Sequence, residues 1–582
     1  MKQLLLEKKQ QFGIEKDNFQ RKSNIFSKIR MFLFLLFIGL VLLYSNYSIF
    51  FIIALLWIVA LAFLLVALYH GYINREVKRL ETCISIIEQY EKRRTNEWRS
   101  EQTVILSTDD SFLEDLDIVG KNSLFQFLNF TYSLGGRNRL LETLSLKRVN
   151  KQEIIENQES IEELKNNPEF VLFFQEKLTH VKNISKIDFK EYFYLLDGNQ
   201  KGKKLEAVIS IFFSIFTIMS LLLALLQMIS IAYFIGIFLF QLASSYFYAM
   251  IYKEDFDKIS KCSRYFSNLK GAYEYVESQR FTALKNKRLQ REVKEGKEIL
   301  LKLEQIVSLN SYRFNFITSI LFNAFFSLNF LILYKYTELV KKDHQSFKNS
   351  IIALEELEVL ISLSTIAFVK DNVSFPTIKS DISLEVKNVK HPLLEEEKCI
   401  SNDFQCRQDI QIITGSNMSG KTSFMRTIGI NLVLAYTGTY VNADVFHCSI
   451  MKIFTSINVK DDISNGISTF YGELKRIKEV LDYSENNKPM VIFIDEIFKG
   501  TNYNDRILGA KEVLKKLADL PCIVFLTTHD FELCEINHKK IHNYHFEETY
   551  KQNKISFDYK MKKGKCKTTN AKYLMKEIGI ID

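Results

Sequence analysis

Residues 412–422 read I-I-T-G-S-N-M-S-G-K-T: a β-branched run ends in Gly415, and Gly420, Lys421 and Thr422 follow at the spacing of a phosphate-binding loop. Glycine lets the backbone curl so that successive N–H groups point at phosphate oxygens. A helix opening after the loop adds its positive end, Lys421 reaches the β- and γ-phosphates, and the Thr422 hydroxyl can hold Mg²⁺. Ser416, Asn417, Met418, Ser419 and Ser423 complete this nucleotide-binding stretch. Residues 491–494 form a second apolar run, ending at Asp495 and Glu496. The first of these carboxylates suits a Mg²⁺ water shell and the second suits polarising an attacking water. A third run, 523–526, leads into Thr527, Thr528, His529 and Asp530. Ligands of open α/β sheets gather at such strand ends, where His529 can hydrogen-bond a γ-phosphate or that water. Between these runs, Gly466, Ile467, Ser468 and Thr469 open a helix that carries Glu473 and Arg476. The turn suits an anion, and ordinary N-capping by Ser468 or Thr469 accounts for it equally.

Positioning these groups requires strand–loop–helix units of a parallel sheet, which places an α/β ATPase-type domain at 388–582. The other residues read as mostly helical, because 582 residues contain only 5 Pro and 21 Gly. A formal charge of +9 permits contact with nucleic acid or anionic lipid without demanding either. The 8 cysteines form neither a C-x-x-C pair nor a cluster with histidine, so reduced thiols are expected and a disulfide framework or zinc site is not.

Two apolar hairpins stand out. Residues 31–44 and 49–69 flank Ser45, Asn46, Tyr47 and Ser48, and residues 207–226 and 229–251 flank Gln227 and Met228. Helices of this length suit a hydrocarbon layer of about 30 Å. Lys and Arg crowd the outer flanks (Lys28, Arg30, Arg75, Lys78; Lys203, Lys204, Lys253), which places both ends of each hairpin in the cytosol. A cleaved signal peptide does not fit, because a second apolar run follows at once. For the second hairpin, a buried helical pair is the competing explanation. A further apolar block, 314–334, is interrupted by Asn315, Thr318, Ser319, Asn323, Ser327 and Asn329. As a lone span it would carry the nucleotide site to the side that lacks ATP, so a core helix is expected there.

Together the motifs resemble the MutS family of mismatch-repair ATPases. The likeness runs through T-G-S-N-M-S-G-K-T-S-F-M-R-T-I-G (414–429), A-Y-T-G-T-Y-V-N-A (435–443), S-T-F-Y-G-E-L (468–474), D-E-I-F-K-G-T (495–501) and T-T-H-D-F-E-L (527–533). Weaker likeness to the family's helical core covers 120–144, 158–164 and 354–368, and the Ser-Gly-Gly-Gln signature of ABC transporters is absent. The resemblance implies ATP and Mg²⁺ as ligands. Lys421 and Thr422 would hold phosphate and Mg²⁺, Asp495 would support the metal, Glu496 would act as general base and His529 would sense the γ-phosphate. It further implies a homodimer in which the Ser468 region completes the partner's site. Near the adenine, Cys399 stands where the family has a stacking aromatic, and Tyr559 is a candidate ring from the C-terminal segment.

The departures shape the expectation. About forty residues (71–109) separate the first hairpin from the first part of the helical core, fewer than a small domain of ~50 residues needs, and no Phe-x-Glu wedge occurs among them. Mismatch reading is therefore not expected. The expected architecture is α + α/β: a cytosolic segment (1–28), a transmembrane hairpin (29–70), a linker helix (71–109), a first part of the helical core (110–204), a second hairpin (205–252), a helical lever with the rest of the core (253–387) and the ATPase domain. The expected protein is a multi-pass protein of the cytoplasmic membrane, touching lipid through four transmembrane helices, with its ATPase facing the cytosol. Its expected action is on branched or structured DNA. The alternative is a membrane mechanoenzyme or scaffold with a protein or lipid partner. The basic stretch 285–302 either touches phosphates or, given Glu292, Glu295 and Glu298, is a solvated helix face.

Overall fold

The computed structural model describes residues 2–47, 50–101, 110–179, 203–457, 469–551 and 554–566. Helices α1 (Lys2–Tyr47) and α2 (Phe50–Arg94) form a long antiparallel hairpin. Its most apolar windows are only 6% buried, so their side chains face outward. Towards the outer ends the pair changes character: Leu5 and Phe12 of α1 share one core with Leu80, Cys83 and Ile87 of α2. Arg93 then anchors α2, donating to the carbonyls of Phe127 (2.7 Å) and Asn129 (3.3 Å).

Short helices α3 (Ser111–Asp115), α4 (Leu124–Leu128) and α5 (Leu134–Leu144) lead into α6 (Lys151–Asn166) and α7 (Pro168–Thr179). Ser133 and Asn150 cap α5 and α6 by accepting N–H groups of the first turn. The second apolar hairpin is α8 (Lys204–Leu225) with α9 (Ile231–Ile251), the latter capped by Ser230. It continues into α10 (Lys253–Glu277) and α11 (Leu284–Ser311). Among the described residues, four helices (α1, α2, α8 and α9) are long and apolar enough to cross a membrane.

In place of the single core helix expected at 314–334, the chain forms α12 (Phe316–Phe326) and α13 (Leu328–Val369), which meet at 78°. Ser327 sits at the bend in the left-handed conformation (φ 49°), which ends one helix and starts the next. The far end of α13 is the spine of the helical core. There the Glu358 carboxylate accepts the N–H groups of Tyr132 (2.7 Å) and Ser133 (3.1 Å) at the start of α5. Gly135 and Gly136 permit this approach, because a Cβ at either would collide with the Glu355 or Glu358 carboxylate.

A small sheet with strand order β1-β5-β2-β3 links the core to the C-terminal domain. Its strands are β1 (Thr377–Lys379), β2 (Ser383–Val389), β3 (Asn402–Arg407) and β5 (Val445–Ser449). The main sheet has six strands: β4 (Ile410–Thr414), β6 (Lys452–Ser456), β7 (Met490–Asp495), β8 (Cys522–Thr527), β9 (Ile541–Lys551) and β10 (Lys554–Lys563). Their order is β10-β9-β4-β8-β7-β6; all neighbours are parallel except β10 with β9. Strands β4 and β8 are buried at every residue, as central strands covered on both faces must be, Gln411 of β4 included. Helices α14 (Lys421–Tyr436), α15 (Thr469–Ser484) and α16 (Tyr503–Ala518) complete the layers. Ile413, Phe493 and Phe525 join the core that reaches back to α1, whereas Ile412, Ile494 and Leu526 pack with Ile507 and Leu514 of α16.

Candidate nucleotide site

The loop between β4 and α14 is bracketed by Gly415 (φ 148°) and Gly420 (φ 106°). A Cβ on Gly415 would lie 2.8 Å from the Phe546 carbonyl, and one on Gly420 would meet the Tyr559 ring at 3.1 Å. Both positions therefore require glycine. Helix α14 has no side-chain cap, so the N–H groups of its first turn are left for a ligand. Ser419 Oγ, buried beside the loop, has no hydrogen-bond partner. Met418, also left-handed (φ 69°), projects outward at the loop tip.

Lys421 folds back over this loop, and its Nζ donates to the carbonyls of Gly415 (2.8 Å) and Ser416 (2.9 Å). Burial lowers its pKa, against the opposing pull of Asp495 and Glu496. Thr422 Oγ1 lies 3.1 and 3.2 Å from the two carboxylate oxygens of Asp495, at the end of β7, and the Thr527 hydroxyl bonds the same carboxylate. Glu496 follows in a left-handed conformation (φ 58°), a costly geometry for a residue with a side chain. His529 Nε2 is the point of convergence: Asn417 Oδ1 is 3.0 Å away, Glu496 Oε1 3.2 Å and Lys421 Nζ 3.4 Å. Burial, then the nearby Lys421 charge, lowers the His529 pKa, which favours a neutral imidazole at neutral pH.

The remaining sequence-derived candidates are placed as follows. Ser416 Oγ donates to Glu548 (2.7 Å), and Ser423 is exposed on the first turn of α14. Tyr559 (φ 52°) lies beside Gly420, its carbonyl accepting from Asn402 (3.0 Å). Cys399 is buried, its sulfur accepting the His391 N–H. Ser468, with Gly466 and Ile467, lies outside the described residues.

Three further sets of contacts brace the site and its helices, and local spacing predicts none of these pairings. Arg506 of α16 grips Asp530 with two 2.9 Å bonds and so braces the His529 turn. Lys499 Nζ lies 3.7 Å from Glu496 and 4.0 Å from Asp495. Asp117 pairs with Arg426 of α14 (2.8 Å), and buried Asp115 pairs with Arg476 of α15 (2.6 Å), tying both helices to the helical core. Isolated aspartates and arginines far apart in sequence carry no spacing signal, so only the fold reveals these pairs.

The donor set fits a Mg²⁺–nucleotide. Among the described residues, no three His, Cys, Asp or Glu side chains gather as a metal cage. A hydroxyl with one carboxylate is nevertheless what Mg²⁺ needs when phosphate and water supply the rest. Residues 411–578 match the family model for MutS domain V, an ATPase domain, and this match supports a relationship between the chain and the MutS family.

Proposed function

We propose that this protein is a membrane-anchored ATPase that hydrolyses ATP at sites completed by a second copy, with the ATPase domain in the cytosol. The observation that carries the reading is the Thr422–Asp495 pair at the mouth of a glycine-bracketed loop, with Glu496, His529 and Lys421 alongside. In the proposed reaction the loop N–H groups and Lys421 bind the β- and γ-phosphates. Thr422 and Asp495 would hold Mg²⁺, which would supply charge neutralisation when bound. Glu496 takes a proton from the water that attacks the γ-phosphorus, while the bond to the β-phosphate oxygen breaks and ADP leaves with that electron pair. His529 donates a hydrogen bond to the γ-phosphate.

Dimerisation is supported by the exposed Met418, Tyr471, Tyr503 and Phe531, which fringe the carboxyl edge of the main sheet. In the dimer, the Ser468 turn of one copy would meet the nucleotide of the other. ATP would then favour closure, because its γ-phosphate touches both copies, and hydrolysis would remove that difference. The test is mass measurement in detergent. ATP should convert the Glu496→Gln variant to dimers and ADP should not; failure to bind ATP at all would end the reading.

Two loads are in play. The family match favours DNA, which the enzyme would engage in branched or structured form. The path of the arms favours the membrane: α10 and α11 grow out of the apolar α8–α9 hairpin. In addition, Lys285, Lys297 and Lys302 of the basic stretch are paired with Glu356, Glu277 and Asp343. On that ground the membrane is the proposed load. Branched DNA should then leave ATP turnover unchanged at two salt concentrations, whereas a DNA-driven enzyme would show stimulation that falls steeply with salt.

A further inference from the structure

Between Arg313 and Lys335 no Asp, Glu, Lys or Arg occurs, yet the stretch is broken by the 78° bend at Ser327. Neither leg is long enough to cross a bilayer. Helix α12, with 11 residues, rises ~16 Å, and the opening of α13 up to Tyr334 rises ~10 Å, against a hydrocarbon core of ~30 Å. Outward-facing positions are apolar and uncovered: Phe316 is 78% exposed, Ile317 67% and Phe326 56%. The inward positions Ser319, Asn323, Ser327 and Asn329 are buried against the second hairpin.

Those inward groups bond to both hairpin helices. Ser327 Oγ donates to the Ser210 carbonyl (3.0 Å) and sits 2.6 Å from Ser214 Oγ; Gln241 also bonds it. Ser245 donates to Asn323 (2.7 Å), and Asn329 donates to the Ser245 carbonyl (3.0 Å). Ser210 and Ser214 lie ~9–15 Å along α8 from Lys204, and Ser245 and Gln241 lie the same distance back from the end of α9. The bend is therefore held near mid-membrane if the hairpin spans. Both ends of the element lie on the same side, since α11 and α13 run back together and Lys302 pairs with Asp343 (3.7 Å).

We propose that residues 314–334 are a re-entrant element. It enters the bilayer from the ATPase side, turns at Ser327 inside the second hairpin and returns as α13, so that its apolar face contacts the acyl chains of that leaflet. This rests on the membrane reading of the hairpins. It removes the topological objection to the block, because an in-and-out path leaves the ATPase on its own side. Backbone broken at depth is tolerated where protein covers it, as the hairpin covers Ser327 here. From the bend α13 runs unbroken to Val369, passing Leu363, whose carbonyl accepts from Thr439 just beyond α14. One helix thus joins the ATPase to the leaflet.

The test uses the intact protein in vesicles containing lipids brominated at known depths, with Trp57→Phe removing the exposed native tryptophan. Tryptophan placed at Phe326 should be quenched most by bromines near the bilayer centre, and at Phe314 most by bromines near the headgroups. Cysteine placed at Lys341 should react with an impermeant maleimide on the ATPase side. Phe216→Trp in α8 reports on the hairpin itself. If Phe216→Trp is quenched and Phe326→Trp is not, the re-entrant element is overturned and the hairpin stands. Quenching at neither overturns both, and labelling of Lys341→Cys only from the opposite side overturns the in-and-out path.

Discussion

At the candidate nucleotide site, Lys421, Asp495, Glu496 and His529 crowd around one opening, α14 is uncapped, and the buried Ser419 hydroxyl has no partner. Along α13 most polar groups find partners within the fold: Ser327 and the Asn329 amide N–H bond to the second hairpin and Glu358 bonds to the start of α5, while Asn329 Oδ1 is left without a partner. The first region keeps donors and charges ready for a multiply charged ligand arriving from water. The second uses mostly neutral Ser, Asn and Gln, which can satisfy each other where water is scarce. An unsatisfied polar group costs little at a wet edge and much in a dry interior. Charged groups are thus left open in one place, and neutral ones are mostly closed in the other.

The largest effect is expected from breaking the open side. Glu496→Gln keeps the shape and removes the base, so ATP turnover should fall by about 10²–10⁴-fold while nucleotide affinity changes little. Phosphate release and equilibrium nucleotide binding, measured on the same preparation, check this. Turnover at the normal rate would remove Glu496 from the mechanism.

The closed side is sharpened at Glu358. Burial pushes its pKa up to about 7, outweighing the hydrogen bonds from Ser133 and from the N–H groups of Tyr132 and Ser133. Because the folded pKa lies above the ordinary 4.5, the fold prefers the protonated form. Its stabilising contribution is complete below pH 4.5 and is lost as pH rises through 7, a change of about 3 kcal/mol. Thermal unfolding in detergent should therefore show stability falling from pH 5 to 7. Glu358→Gln should flatten that slope, whereas Glu358→Ala, which strands two buried N–H groups, should cost about 2–4 kcal/mol.

The two regions also differ in how far the residues announce them. Gly415, Lys421, Thr422, Asp495 and His529 stand at strand ends set by apolar runs, and local spacing alone was enough to bring them to one sheet edge. The apolar hairpins were legible for the same reason, since length and absence of charge are local properties. Ser327 was not legible as a bend, because serine has no strong turn preference. What holds it left-handed is a set of bonds to Ser210, Ser214 and Gln241, more than eighty residues upstream. Asp115 with Arg476 and Arg506 with Asp530 were hidden in the same way, each being half of a pair that only the tertiary fold assembles.

A smaller effect is expected where the open loop is tightest. Gly415→Ala forces a Cβ against the Phe546 carbonyl at a φ that side chains rarely adopt, a strain of about 1–3 kcal/mol. The loop should relieve it by shifting, so ATP affinity should fall roughly tenfold or more. Gly39→Ala in α1 meets nothing within 4 Å and should be neutral or slightly stabilising by up to ~1 kcal/mol. A loss of affinity from both would mean that the two glycines are not distinguished by their surroundings.

The smallest effect concerns a contact that belongs to neither extreme. Arg506 and Asp530 are partly buried, with side chains 26% and 14% exposed, and are joined by two parallel bonds that a lysine cannot reproduce. If the pair only fastens α16 to the sheet, Arg506→Lys should lower the melting temperature and leave turnover alone. If it braces the His529 turn, turnover should fall a few-fold with ATP affinity unchanged. In that case a double-mutant cycle with Asp530→Asn should give a coupling of about 1 kcal/mol in the activation free energy. We expect the second outcome, because Asp530 directly follows His529, and its N–H is already committed to Thr528 Oγ1 at 3.0 Å. That short turn has little freedom left to absorb a loosened carboxylate, so the displacement should pass to the imidazole.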